Sequence, residues 1–167
     1  GCGIVLTSTD ATNWTSRYSG APCLRSITYG NNIFMTVGNG GSTSASSDGI
    51  TWTSKNSGQN NNLLGVTYGN SRFVTVGEEG VIRTSEDDDG DTWTGGGSCG
   101  LSPHTLAVTY GNGIFVVGGA GGNVCTSSNG LQWTSRTSGI TQNVEGVTYV
   151  SGQYVAVSMD GKIITST

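Results

Sequence analysis

One stretch of this chain keeps returning until the chain ends. Ile27-Thr28-Tyr29-Gly30-Asn31 comes back as Val66-Thr67-Tyr68-Gly69-Asn70, as Val108-Thr109-Tyr110-Gly111-Asn112, and in a weaker form as Val147-Thr148-Tyr149. The four tyrosines stand 39, 42 and 39 residues apart. A fixed period of this size means that one supersecondary unit is copied, and that each copy buries its apolar face against the next.

The content of the unit decides what kind of element repeats. Behind each Tyr segment comes a second apolar run: Ile33 to Gly38, Arg72 to Gly77, Ile114 to Gly118, and Tyr154 to Ser158. A third run follows at Ser42 to Ser46, Val81 to Ser85 and Val124 to Ser127, then a fourth around Trp52, Trp93 and Trp133. These runs are short, rich in β-branched and aromatic residues, and bounded by Gly and Asn, which predicts strands. A period near 40 also suits paired-helix solenoids, but 29 glycines in 167 residues and the scarcity of Leu, Ala, Glu and Lys oppose helix. Four short strands per unit of about 40 residues predict a β-propeller blade. The expectation is one all-β domain over 1–167 with four blade equivalents, near 24–62, 63–105, 106–143, and 144–167 joined with 1–23.

Between the third and fourth strands stand Ser46-Ser47-Asp48-Gly49-Ile50-Thr51-Trp52, Ser127-Ser128-Asn129-Gly130-Leu131-Gln132-Trp133 and Ser8-Thr9-Asp10-Ala11-Thr12-Asn13-Trp14. Ser and Asp side chains here can bond N–H groups of their own turn, Gly supplies a positive φ, and the Trp covers the turn. These turns resemble the Asp-box, or bacterial neuraminidase repeat, S-x-D-x-G-x-x-W. Three copies are one residue shorter than that pattern, and Ser85 to Trp93 is one residue longer. The resemblance implies a propeller in which the box is structural. Sialidases, lectins and assembly factors share such folds, so function has to be argued from sites.

The chain begins in mid-blade, with a third strand at Gly3-Ile4-Val5-Leu6-Thr7 and a Trp strand after it. It ends on another third strand, Gly161-Lys162-Ile163-Ile164-Thr165. The length is thus about four periods plus one redundant strand, two candidates for one slot. A spare strand with unpaired backbone groups invites pairing with another chain. A heterologous contact of that kind gives rings or filaments, so self-association is expected. A frayed strand, or a chain excised from a longer array, are the other readings. A start at Gly1, with no initiator Met or signal peptide, fits a processed chain or a piece of a longer one.

Only 11% of residues are charged, with 7 Lys plus Arg against 11 Asp plus Glu, giving a net charge of −4. That balance argues against a nucleic-acid partner, which needs a basic face, and no apolar run is long enough to span a membrane. In a propeller, the start of a third strand lies at the same end as the connection to the next blade. Pairing Cys2 with Cys23 and Cys99 with Cys125 is then geometrically reasonable, and would place the protein outside the cell. Four cysteines allow three pairings, and buried free thiols are the alternative.

Candidate chemistry is sparse. Asp87, Asp89 and Asp91, beside Glu86 and Asp88, form the one acidic cluster, and Ca²⁺ is the cation such a loop would take, although the spacing departs from a calcium loop. No other cofactor is expected. His104 is the single histidine and has no partner motif, and Asn13-Trp14-Thr15 matches a glycosylation acceptor. Arg17, Arg25, Arg72, Arg83 and Arg136 occupy unlike places in the repeat, so a sialidase-type carboxylate clamp is not expected and the chain reads as non-catalytic. The recurring Asn31, Asn70 and Asn112, with Trp52, Trp93 and Trp133, are either turn chemistry or one weak glycan site per blade. Two functions follow: a self-assembling extracellular scaffold, or a lectin-like propeller.

Overall fold

The computed structural model describes residues 3–18, 20, 22–100 and 103–166. All of its sheets are antiparallel and follow the chain in order. The first has two strands, β1 (Ile4–Thr7) and β2 (Thr15–Tyr18). Three four-stranded sheets follow. These are β3 (Leu24–Gly30), β4 (Ile33–Gly38), β5 (Ser42–Ser46) and β6 (Thr53–Asn56); then β7 (Leu63–Gly69), β8 (Arg72–Gly77), β9 (Ile82–Ser85) and β10 (Trp93–Gly95); then β11 (Thr105–Gly111), β12 (Ile114–Gly119), β13 (Val124–Ser127) and β14 (Thr134–Arg136). The last sheet has three strands, β15 (Val144–Val150), β16 (Gln153–Ser158) and β17 (Ile163–Ser166).

Local chemistry accounts for the hairpins. The first two strands of each unit are joined by two residues that both have positive φ: Asn31 and Asn32 (50° and 60°), Asn70 and Ser71, Asn112 and Gly113, Ser151 and Gly152. Tight hairpins need that conformation, and Asn and Gly tolerate it best. The recurrence of Asn at this place is therefore explained by backbone geometry. Each first strand also slips register near its start, between Leu24 and Ser26, Leu63 and Gly65, Thr105 and Ala107, and Val144 and Gly146.

The first strands β3, β7, β11 and β15 lie against one another in sequence. Their spacing is set by an aromatic ring on a bare backbone. A methyl group built on Gly30 would lie 2.1 Å from the ring of Tyr68, one on Gly69 would lie 2.1 Å from Tyr110, and one on Gly111 would lie 2.1 Å from Tyr149. Each tyrosine is braced in turn by the aromatic residue opposite it on the second strand, with ring centroids 4.8 Å apart for Tyr68–Phe73 and 4.6 Å for Tyr110–Phe115. Two hydrophobic clusters fill the space between sheets. Met35, Val37, Leu63 and Phe73 are wholly buried between the first and second complete sheets, and Val74, Val76, Phe115 and Val117 between the second and third.

One sequence expectation changes in detail. The tryptophans were expected inside the fourth strands. Trp93 does open β10, whereas Trp14, Trp52 and Trp133 precede β2, β6 and β14; all four indole N–H groups donate to a carbonyl three residues back and so tie the ring to its turn. Cys99 and Cys125 form a disulfide, as expected, joining the connection after β10 to β13. The Cys2–Cys23 pairing falls partly on Cys2, which lies outside the described residues, as do Leu101, Ser102 and Thr167 in the segments read from sequence.

The Tyr-on-Gly contact makes a specific prediction. Gly69→Ala forces a methyl into the Tyr110 ring and should cost about 3 kcal/mol, the upper range for overpacking. At Gly95 an added methyl meets only the flexible Arg83 guanidinium at 3.6 Å, so Gly95→Ala should cost under about 1 kcal/mol. Urea unfolding midpoints of the two variants read the difference.

Candidate functional site

The Ser–Asp turn between the third and fourth strands is built from side chains bonding backbone. In the first complete sheet, Asp48 accepts from the N–H of Ile50 and of Thr51, both at 2.8 Å, and the Ser46 hydroxyl donates to Asp48 at 2.9 Å. Gly49 N–H donates to Ser46 Oγ, and the Trp52 indole donates to the Gly49 carbonyl at 3.2 Å. Asn129 repeats the pattern with its amide oxygen, accepting from Leu131 and Gln132. Asp10 repeats it at the N-terminal hairpin, accepting from Thr12 and Asn13. Hydrogen bonds to the ionised form hold both carboxyls down. Asp48, bonded first by Thr51 and Ile50, titrates at about 2 in place of 3.8, and Asp10, bonded first by Asn13, lies well below the usual carboxylate range.

The Ser85–Trp93 and Ser127–Trp133 turns also dock on the preceding sheet. The Asn31 side-chain amide donates to the Asp88 carbonyl at 3.1 Å, and Asn70 donates to Ser128 at 3.2 Å. Thr84 Oγ1 donates to the Gly130 carbonyl at 2.6 Å, and Gly130 lies over Val74. Trp93 packs on the cluster around Met35, and Trp133 on the cluster around Val74. Asn31 and Asn70, candidates for ligand contact, thus join neighbouring sheets. Trp52, Trp93 and Trp133 spend their indole N–H groups inside their own turns.

The acidic cluster sits at the surface and bonds largely within its own loop. Asp87 accepts from Asp91 and Thr92, Asp89 accepts from Asp91, and Asp91 pairs with Lys55. Among the described residues no group of three such side chains converges as a metal site. His104 lies in a bridge with Glu78. The arginines are dispersed: Arg17 on Thr7, Arg25 on Asn39, Arg72 on the Ser85 carbonyl, Arg83 on the Ser57 carbonyl and Arg136 on Thr126.

What the structure does bring into view is a pair of incomplete sheets. Among the described residues, β1 and β2 have no inner strands beside them, and β17 has no strand on its outer edge. Ser166 pairs with Tyr154 as Ser46 pairs with Phe34 and Ser127 with Phe115, so β17 holds the third-strand register. A cleft of about 440 Å³ opens between the third complete sheet and the last one, lined by Val116, Thr126, Val144, Tyr154, Ala156 and Ile164. It lies where a Ser–Asp turn docks at the other junctions. On the N-terminal hairpin, Ile4, Leu6 and Trp14 are 49%, 55% and 58% exposed. The sequence marked β1 and β17 as edges. The cleft residues carried no motif, since Val116 and Thr126 are ordinary strand residues until their neighbour is absent.

No family model matches the chain, and no curated protein sequence matches it. Solved structures do. The computationally designed Ika4 protein superposes with a TM-score of 0.68 at 16% identity, over 86% of this chain and 90% of that one. The designed Ika8 protein gives 0.70 at 13% identity, and YCF48 bound to D1 peptide gives 0.75 at 18%. The fold is β-propeller-like. The chain covers 55% of the Ika8 chain and 56% of that YCF48 chain, so it spans about half their length. Identities this low speak to fold alone.

The depressed carboxyl of Asp48 gives a pH prediction. Its folded value lies below its unfolded one, so its hydrogen bonds contribute stability that is complete above about pH 4 and is lost as pH falls towards about 2. Asp48→Asn keeps the acceptor oxygen, as Asn129 does, and has nothing to protonate. Melting temperatures measured between about pH 5 and pH 2 should therefore fall further for the native protein than for D48N.

Proposed function

We propose that this protein is a non-catalytic, extracellular β-propeller subunit that assembles with copies of itself by completing blades between chains. The observation that carries this reading is the complementarity of its two incomplete sheets: one presents outer strands without inner ones, the other inner strands without an outermost one. Each leaves an unpaired backbone edge, which is a template for strand addition. With 11% charged residues, few ions need to be desolvated when such surfaces meet. The Cys99–Cys125 disulfide supports an oxidising setting, and no described helix is long and apolar enough to cross a membrane. The dispersal of the arginines, and an acidic loop whose carboxylates bond its own backbone, support a role without catalysis. Glycan binding through the recurring Asn residues is the weaker reading, because the amides of Asn31 and Asn70 are committed to sheet-to-sheet hydrogen bonds.

Light scattering and negative-stain electron microscopy on the 167-residue chain should show oligomers or filaments that grow with concentration. Amide exchange in β1 should slow as they form. A monodisperse species of 17.1 kDa at every concentration would overturn the proposal and make a glycan array the next measurement.

A further inference from the structure

Resting on that assembly reading, we infer that the cleft beside β17 is a receptor for the β1–β2 hairpin of a second copy of this chain. The cleft continues the series of junctions already inside the molecule. At the junction of the second and third complete sheets, a Ser–Asp turn covers Val74 and Thr84, and the Trp133 indole packs on the buried cluster. By register, Val116 and Thr126 are the counterparts of Val74 and Thr84. They line a cleft with no turn over them. Asn112 stands where Asn31 and Asn70 stand, and those two donate to the turn of the following sheet.

The hairpin has the matching surface. Leu6 occupies the strand position held by Arg83 and Cys125, whose side chains reach back to the preceding connection at Ser57 and Cys99. Leu6 and Trp14 have no preceding sheet to reach and stand exposed. Its other face is already used, because Thr7 lies 3.5 Å from a methyl built on Gly49, just as Thr84 lies beneath Gly130. The hairpin therefore seats as a unit. β1 takes the register of β17 on β16, Leu6 and Trp14 close the cleft, Asn112 donates to the carbonyl of Thr9, and Thr126 donates to that of Ala11. β17, paired on one side only, is displaced.

The seam differs from the internal junctions in spacing. A methyl on Gly130 would lie 3.0 Å from Val74, so Ala11 over Val116 must stand off by a few tenths of an ångström. On the far side of the completed sheet, Val150 replaces the glycine on which a tyrosine ring rests elsewhere. Val150 and Tyr29 are 59% and 56% exposed. The contact between chains is wider than the contacts within one, which suits reversible assembly.

The test uses two full-length variants with opposite defects. Leu6→Glu puts a charge on the exposed face of the hairpin, and Thr126→Trp fills the cleft. Each should raise the concentration for half assembly by at least about tenfold, with the melting temperature of the single chain little changed for Leu6→Glu. Mixed in equal amounts, they should form pairs that grow no further, since only the hairpin of Thr126→Trp and the cleft of Leu6→Glu remain intact. Sedimentation velocity distinguishes the outcomes. If both variants assemble like the native chain, or the mixture stays single, the seat is wrong while the assembly reading stands. If the native chain never assembles, both fall.

Discussion

Neighbouring sheets of this molecule meet where a tyrosine ring on one first strand lies against the bare Cα of a glycine on the strand before it. The 2.1 Å that would separate an added methyl from the ring at Gly30, Gly69 and Gly111 shows that no other residue fits there. The ring is held from behind by Phe73, Phe115 or Tyr154 at a centroid distance near 4.7 Å. Interiors at crystal-like density tolerate little change in such a spacing. The angle between sheets, and with it the volume available to Met35, Leu63, Phe73 and Phe115, follows from this one contact.

The outer end of each sheet is fixed differently, by polar atoms. The Ser–Asp turn satisfies its own backbone N–H groups and then offers a carbonyl to the sheet before it, through Asn31, Asn70 and Thr84. An aromatic contact inside and a hydrogen-bonded clasp outside define each junction. Where the clasp is missing, beside Val116 and Thr126, the sheets splay into a cleft. Where the preceding sheet is missing, Leu6 and Trp14 are bared. The two features belong to the first and last sheets in chain order, the two that have fewer than four strands among the described residues.

A chain built this way gains little from charge. Its two ion pairs among the described residues, Lys55–Asp91 and Lys162–Asp160, sit at the surface, where such pairs contribute little. Cohesion comes from repeated apolar and backbone contacts. These are short-ranged and recur from unit to unit.

The strands, their order and the turns were legible in the sequence, because β-branched runs fenced by Asn and Gly encode local conformation, and a period near 40 exposes the unit. The Cys99–Cys125 pairing was the one that architecture favoured among three, and it is the one formed. The hydrogen bond from each Trp indole to a carbonyl three residues back was not legible, since it leaves no mark on composition. Nor was the inter-sheet role of Asn31 and Asn70, whose partners Asp88 and Ser128 lie 57 and 58 residues away. Sequence by itself determined which strands exist and that β1 and β17 hold the same place in the repeat. Only tertiary structure decided that these strands stay in separate sheets, and that a cleft on one side faces the unmet need of Leu6 and Trp14 on the other. Pairing along the chain is a local preference, but a vacancy between sheets is defined by what packs against it.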